Sequence, residues 1–327
     1  MDNSKIAVSV IVTVFNTEEY FDRMIGSIRN QSLRNIEIII VNDCSPGNIT
    51  QIIETYIKED SRIKYYQTPI NSGVGGARNY GMRYATGEYI MFFDGDDWMD
   101  IGTLEAMYNV AIRENADVVN CGFYRDYNNG EKKYTYYYDK DYVVDGKTAL
   151  KMLAHQYDYG IKMCVSPANK IYRYQLIKEI PFVENSYYEE ALFNFIVIQK
   201  TSIVAFSKTG KYTYFKRLGS NLQSITERHI QDFHAVFMTL KSKLIKNDIY
   251  ITLKYTYIAY IEYFFYVLLE QIYESSEKEE DKKKLIIKAL HSLDELLNIE
   301  DYIEYLGVER FRWNLQPLML HNGERLL

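Results

Sequence analysis

Cysteine is sparse in this 327-residue sequence, and Cys44, Cys121 and Cys164 stand far apart. That distribution offers neither a paired zinc spacing nor a disulfide framework, and it suits a reducing compartment such as the cytoplasm. Basic charge is short as well. With 38 Lys and Arg against 44 Asp and Glu, the net charge is -6, the wrong sign for a chain whose main partner is a nucleic-acid backbone. Long apolar runs are missing too: the most apolar late stretch, Tyr255 to Leu269, is broken by Glu262 and is too short and too polar to span a bilayer. Met1-Asp2-Asn3-Ser4-Lys5 lacks the charged start and apolar core of a signal peptide. The five His residues, His229 and His234 among them, show no metal-ligand pairing.

What is present suffices for a large core, since 47% of the residues are hydrophobic. Val8 to Phe15 and Ile36 to Val41 are near-continuous apolar runs rich in Val and Ile, and both read as parallel strands buried on two faces. Between them, Tyr20, Phe21, Met24, Ile25 and Ile28 recur at helical spacing over Glu18 to Asn30. Helices follow at Asn48 to Lys58, Gly76 to Ala85 and Gly102 to Glu114, with strands at Arg62 to Tyr66, Tyr89 to Phe93 and Asp117 to Cys121. Such regular alternation predicts an open, doubly wound α/β sheet.

In sheets of that kind ligands gather at the carboxyl ends of the strands. Thr13 and Asn16 close the first strand, Asn42 and Asp43 the second, and Asp94-Gly95-Asp96-Asp97 the fourth. Three carboxylates in one turn repel one another unless a cation joins them, and Mg²⁺ in particular takes few protein ligands and completes its shell with substrate phosphate. Gly73-Val74-Gly75-Gly76 opens the helix carrying Arg78 and Asn79. It can bring backbone N–H groups to phosphate, although it lacks the P-loop Lys and the dinucleotide spacing.

Beyond Tyr124 the chain turns polar and rich in Tyr, of which the whole sequence has 32. A hairpin is expected over Tyr124 to Tyr142 around Asn128-Asn129-Gly130, and a helix over Lys147 to His155. Ser186-Tyr187-Tyr188-Glu189 has capping-box spacing, giving Glu189 a structural task and leaving Glu190 to face a cleft. Strands are expected at Ser202 to Phe206 and Tyr212 to Phe215, followed by the polar loop Lys216-Arg217-Leu218-Gly219-Ser220. From Ile230 onward the periodicity is helical, with helices at Phe233 to Ile245, Ile251 to Tyr273 and Lys284 to Leu297 and a charged connector from Glu274 to Lys284.

Taken together, Val8 to Asn16, Ile40-Val41-Asn42-Asp43, Asn71-Ser72-Gly73 through Ala77-Arg78-Asn79, and Ala85-Thr86-Gly87 into Asp94-Gly95-Asp96-Asp97-Trp98 resemble the family 2 glycosyltransferases. The resemblance covers roughly residues 5 to 225. It implies an α/β GT-A fold with a mixed sheet, a UDP-sugar donor, and transfer with inversion to a hydroxyl of a glycan, lipid-linked or glycoprotein acceptor. By position it assigns Thr13, Phe15 and Asp43 to uracil and ribose, and Arg78 to the base or diphosphate. Asp94 falls to ribose or metal, Asp96 to a Mn²⁺ or Mg²⁺ ion, and Glu190 to the role of base. Lys216, Arg217 and Ser220 would be a lid.

Here Glu190 replaces the more usual Asp, Thr13 a frequent Pro, and Asn42 the first acid of a frequent Asp-Asp pair. The implied organisation is a catalytic domain at 1-225, with a nucleotide-binding half to about 122 and an acceptor half from 123, then a helical subdomain at 226-327. That tail is expected to shape the acceptor site, mediate self-association, or rest on the inner face of the cell membrane. Two other classes compete. A phosphotransferase with an Asp-x-Asp nucleophile needs a Thr after the acids, where this chain has Asp97-Trp98. A non-catalytic nucleotide-sugar-binding protein on the same scaffold would be indifferent to the loss of Glu190.

Overall fold

The computed structural model describes residues 5–127, 132–155, 161–216 and 225–309. In chain order it begins with β1 (Val8–Val14), α1 (Glu18–Arg29), β2 (Ile36–Asn42), α2 (Ile49–Glu59), β3 (Ile63–Gln67), α3 (Gly73–Met82) and β4 (Tyr89–Asp94). Every residue of β1 and β2 is buried, as runs of Val and Ile covered on both sheet faces require. Next come β5 (Trp98–Met99), α4 (Thr103–Glu114), β6 (Val118–Tyr127), β7 (Lys132–Tyr136), β8 (Tyr142–Asp145) and α5 (Gly146–Leu153). The chain continues through β9 (Lys170–Arg173), α6 (Tyr174–Ile177), α7 (Glu189–Lys200) and β10 (Ile203–Lys216). It ends with α8 (Glu227–Lys246), α9 (Tyr250–Glu274), α10 (Glu279–Leu296) and α11 (Ile299–Glu309).

The strands form one mixed sheet ordered β3-β2-β1-β4-β9-β6-β10-β5, with β7 paired to β6 and β8 to β10. Its first four strands are parallel, as the alternation predicts. The doubly wound parallel pattern stops there, because β9 enters antiparallel between β4 and β6. A four-residue run such as Lys170–Arg173 carries no directional signal in its side-chain pattern, so the mixed sheet follows from the family resemblance and not from the alternation. The arms of the expected hairpin, β6 and β7, do pair antiparallel; the turn itself lies outside the described residues. The two strands expected at 202–206 and 212–215 are one, β10, with a register shift between Phe206 and Lys211. Helix α3 starts three residues before its expected position, taking the glycine-rich turn into its first turn. Gly75 permits this, since a Cβ there would stand 2.3 Å from the Val183 carbonyl oxygen.

Two hydrophobic cores flank the sheet. One packs α1, α2 and α4 against Val10 and Val12 of β1. The other packs α3, α5 and α7 against Ile11 and Phe92, and α8 and α9 join this same core through Phe233, Phe237, Tyr260 and Phe264, with α10 adding Leu285 and Ala289. The charged start of α10, Glu279-Glu280-Asp281, occupies its first turn, where acids favour the helix dipole. Among the described residues no helix is long and apolar enough to cross a membrane.

Candidate active site

The register of the parallel strands sets the floor of the site. Thr13 is the Cα partner of Asp94 across β1 and β4, and Val14 that of Asn42 across β1 and β2, so all three strand ends finish at one level. Asp43 follows β2 and is buried, with its Oδ1 accepting from Thr68 Oγ1 at 2.8 Å, Ser72 N at 2.9 Å and Ser72 Oγ at 3.1 Å. Those bonds join the second strand end to the start of α3. After Asp94 the chain turns, Asp97 N donating to Asp94 O at 3.2 Å. Gly95 is required in that turn, since a Cβ would lie 2.8 Å from Thr17 Oγ1 and 2.9 Å from Thr13 O.

The three acids of the turn have different tasks. Asp97 is fully buried, its Oδ2 accepting from the Tyr212 hydroxyl and its Oδ1 from Phe215 N at 2.8 Å. Burial first, then the charges of Asp96 and Asp94, push its pKa well up. It therefore anchors the turn to β10. Outside, the Arg23 guanidinium lies 3.8 Å from the Trp98 ring centroid and 4.4 Å from that of Phe215, and donates to Asp96 O at 3.0 Å. Asp94 and Asp96 line a cleft of about 540 Å³.

The same cleft is lined by Thr13, Phe15, Asp43, Arg78 and Glu190, so every residue nominated for the nucleotide, the metal and the base is brought together there. Lys216 is not among its lining residues; it ends β10, exposed, with Nζ 3.9 Å from Glu274 Oε2. Arg217 and Ser220 lie outside the described residues.

Arg78 is buried between the two sides of the cleft, donating to Asp94 Oδ1 at 2.9 Å and to Glu189 Oε1 at 2.7 Å. This corrects the capping box expected at Ser186 to Glu189. Helix α7 starts at Glu189 with Tyr188 as its N-cap and no side-chain cap, because a buried guanidinium binds a carboxylate more strongly than a backbone N–H does. Glu190 shares a hydrogen bond with Glu189. Burial raises the pKa of both carboxyls, and the Arg78 charge opposes that rise most for Glu189. Glu190 is pushed well above the ordinary range, first by burial and then by the neighbouring Glu189 charge.

Among the described residues, no three His, Cys, Asp or Glu side chains are placed to hold a metal ion by themselves. The donor set facing the cleft, Asp94 and Asp96, still fits a Mn²⁺ or Mg²⁺ ion that arrives with a diphosphate, because such ions accept one or two carboxylates plus phosphate oxygens. The far wall was not foreseen. It consists of Val165, Ser166 and Pro167, then Asn185 to Tyr187, Tyr214, and Arg228 of α8. Arg228 donates to Asn185 O at 2.7 Å. A lone basic residue at a helix start gives no sign in sequence of the loop it will reach.

Comparison with known proteins agrees with this geometry. The family model described as "Glycosyl transferase family 2" matches residues 9–181. The cholesterol galactosyltransferase of Borreliella burgdorferi is 30% identical over 315 residues, covering 92% of this chain and 87% of that protein. Glycosyltransferase GlyA of Streptococcus pneumoniae is 29% identical over 227 residues, covering 68% of this chain, which spans only 32% of GlyA. Among solved structures, S. aureus TarS 1-349 in complex with UDP-GlcNAc superposes with a TM-score of 0.61 at 20% identity, covering 91% of this chain and 92% of that one. That likeness identifies the GT-A type of mixed α/β fold.

Proposed function

The chain belongs to glycosyl transferase family 2, and from that premise we propose that it moves a sugar from a UDP-sugar to a hydroxyl of a glycan, glycolipid or glycoprotein, with inversion and with Glu190 as the base. The observation that carries this reading is the convergence of Thr13, Phe15, Asp43, Asp94, Asp96 and Glu190 on one cleft. The UDP-GlcNAc held by TarS supports a uridine nucleotide as donor. A lipid hydroxyl falls within the acceptor class, in keeping with the cholesterol galactosyltransferase relative.

Phe15, 41% exposed at the end of β1, offers a ring face to a base. Asp43 and Thr13 offer polar groups to the ribose. Asp94 and Asp96 would hold Mn²⁺ or Mg²⁺, which supplies Lewis-acid stabilisation of the departing diphosphate. The acceptor hydroxyl loses a proton as it attacks, and a carboxylate with a raised pKa is a better base near neutral pH than an ordinary one. Arg78 keeps a positive charge beside Glu189 and Asp94 and so offsets part of the acid charge gathered in the cleft.

The test is a donor screen by UDP release with and without Mn²⁺, followed by Asp96→Ala. Metal-dependent UDP release by the wild type and its loss in the variant is the expected pair of results. Metal-dependent turnover retained in Asp96→Ala would remove the metal assignment.

A further inference from the structure

Lys170 is a fully buried cation in which the proposed reaction has no share. Its ammonium donates to Cys164 O at 2.6 Å, to Ser166 O at 2.6 Å and to Asn169 Oδ1 at 2.9 Å. Three donors meet three acceptors, so the charged form is fully satisfied. The carbonyl between them, Val165 O, accepts from Asn194 Nδ2 at 2.7 Å. Asn194 is itself fixed, its Oδ1 accepting from the Tyr172 hydroxyl at 2.8 Å, and Asn169 Nδ2 donates to Cys121 O at 2.7 Å. Three consecutive carbonyls are thus drawn inward by two buried side chains, one from β9 and one from the helix that carries Glu190. The same segment, Val165-Ser166-Pro167, lines the cleft.

A buried ammonium is costly to keep, and here it is spent on backbone that no strand or helix holds. We infer that Lys170 and Asn194 are positioning residues that set the 165–167 wall against which the acceptor is oriented relative to Glu190. This rests on the transferase reading above for the word acceptor, while the cradle itself does not. The groups acting on the Lys170 charge are the Cys164 and Cys121 thiols, and burial, the largest influence, brings its pKa down to about 8. Above that pH the neutral amine has two donors for three acceptors, and one carbonyl loses its partner.

The experiment is hydrogen–deuterium exchange on the full chain, with Lys170→Met and Asn194→Ser beside the wild type, together with UDP titration in Mn²⁺. Exchange over residues 161–168 is expected to quicken about tenfold or more in each variant, with UDP affinity within about twofold of wild type. In the wild type, exchange there rises between pH 7 and 9 beyond the intrinsic base-catalysed increase, and Lys170→Met lacks this step. With UDP-GlcNAc and n-octyl β-D-glucoside as probes, transfer relative to hydrolysis of the donor falls in both variants. Unchanged exchange in both variants, or UDP affinity lost in parallel with it, overturns the inference. A wild type that fails to bind UDP overturns the donor assignment instead, and the cradle is then decided by the exchange data.

Discussion

The floor and the far wall of the cleft are built in opposite ways. The floor comes from the ends of β1, β2 and β4, whose in-register parallel pairing puts Thr13 beside Asp94, so each group sits within a residue or two of a strand that the core already fixes. The wall comes from the 165–167 segment, the approach to α7, β10 and the first turn of α8, brought together only by tertiary packing. Strand ends suit what every donor shares, a nucleotide and a diphosphate. Loops and helix starts suit what varies, the acceptor, because they change without disturbing the sheet.

The sharpest way to separate the two is to disable the proposed base and leave the floor alone. Glu190→Gln is expected to lower transfer by about a hundredfold to ten-thousandfold while leaving UDP affinity in Mn²⁺ unchanged, as read by UDP release beside calorimetric titration. Unimpaired turnover would remove Glu190 from the role of base. Arg78→Leu attacks the link between floor and wall. It leaves Glu189 buried without its partner, and breaking such a pair costs about 3–5 kcal/mol, to be measured by urea unfolding. The double variant Arg78→Leu with Glu189→Leu should recover much of that loss; additive losses would mean the two residues act separately. A smaller effect is expected from Gly95→Ala, whose Cβ must push back Thr17 Oγ1 and Thr13 O at a cost of about 1–3 kcal/mol, with weaker UDP binding as the local consequence.

The same contrast explains what could be read from the chain. The floor was legible because Val and Ile runs mark buried strands and the polar residues just after them have one place to go. The acids of the turn were legible as a group but not individually. Nothing in Asp94-Gly95-Asp96-Asp97 says that the last acid will be captured by Tyr212 and Phe215 N, more than a hundred residues later. Glu189 has capping-box spacing, yet the buried Arg78 claimed it, a tertiary contact outweighing a local rule. The start of α8 at Glu227 was missed because its capping pair is Thr226 with His229, not the Ser/Thr with Glu or Gln that marks helix starts. Lys170 gives no sign of burial in the sequence, and only the fold shows it buried in β9.

The smallest expected effect concerns stability. Because the pKa of Glu190 is raised in the folded state, the native chain binds this proton more tightly than the unfolded chain does. The contribution to stability is therefore fully present below the unfolded value of 4.5 and is lost as pH rises through the folded one. Gln cannot ionise, so Glu190→Gln escapes the loss, and its melting temperature relative to wild type should rise from pH 4 to pH 7. The sign is what matters for the comparison of floor and wall. On the proposed reading, an acid held against Glu189 serves chemistry at the expense of stability, whereas an acid placed for stability would show the opposite slope. A difference in melting temperature that shrinks or reverses between pH 4 and pH 7 would mean that Glu190 rests as a stabilised anion, and the explanation of its basicity would have to move to another group.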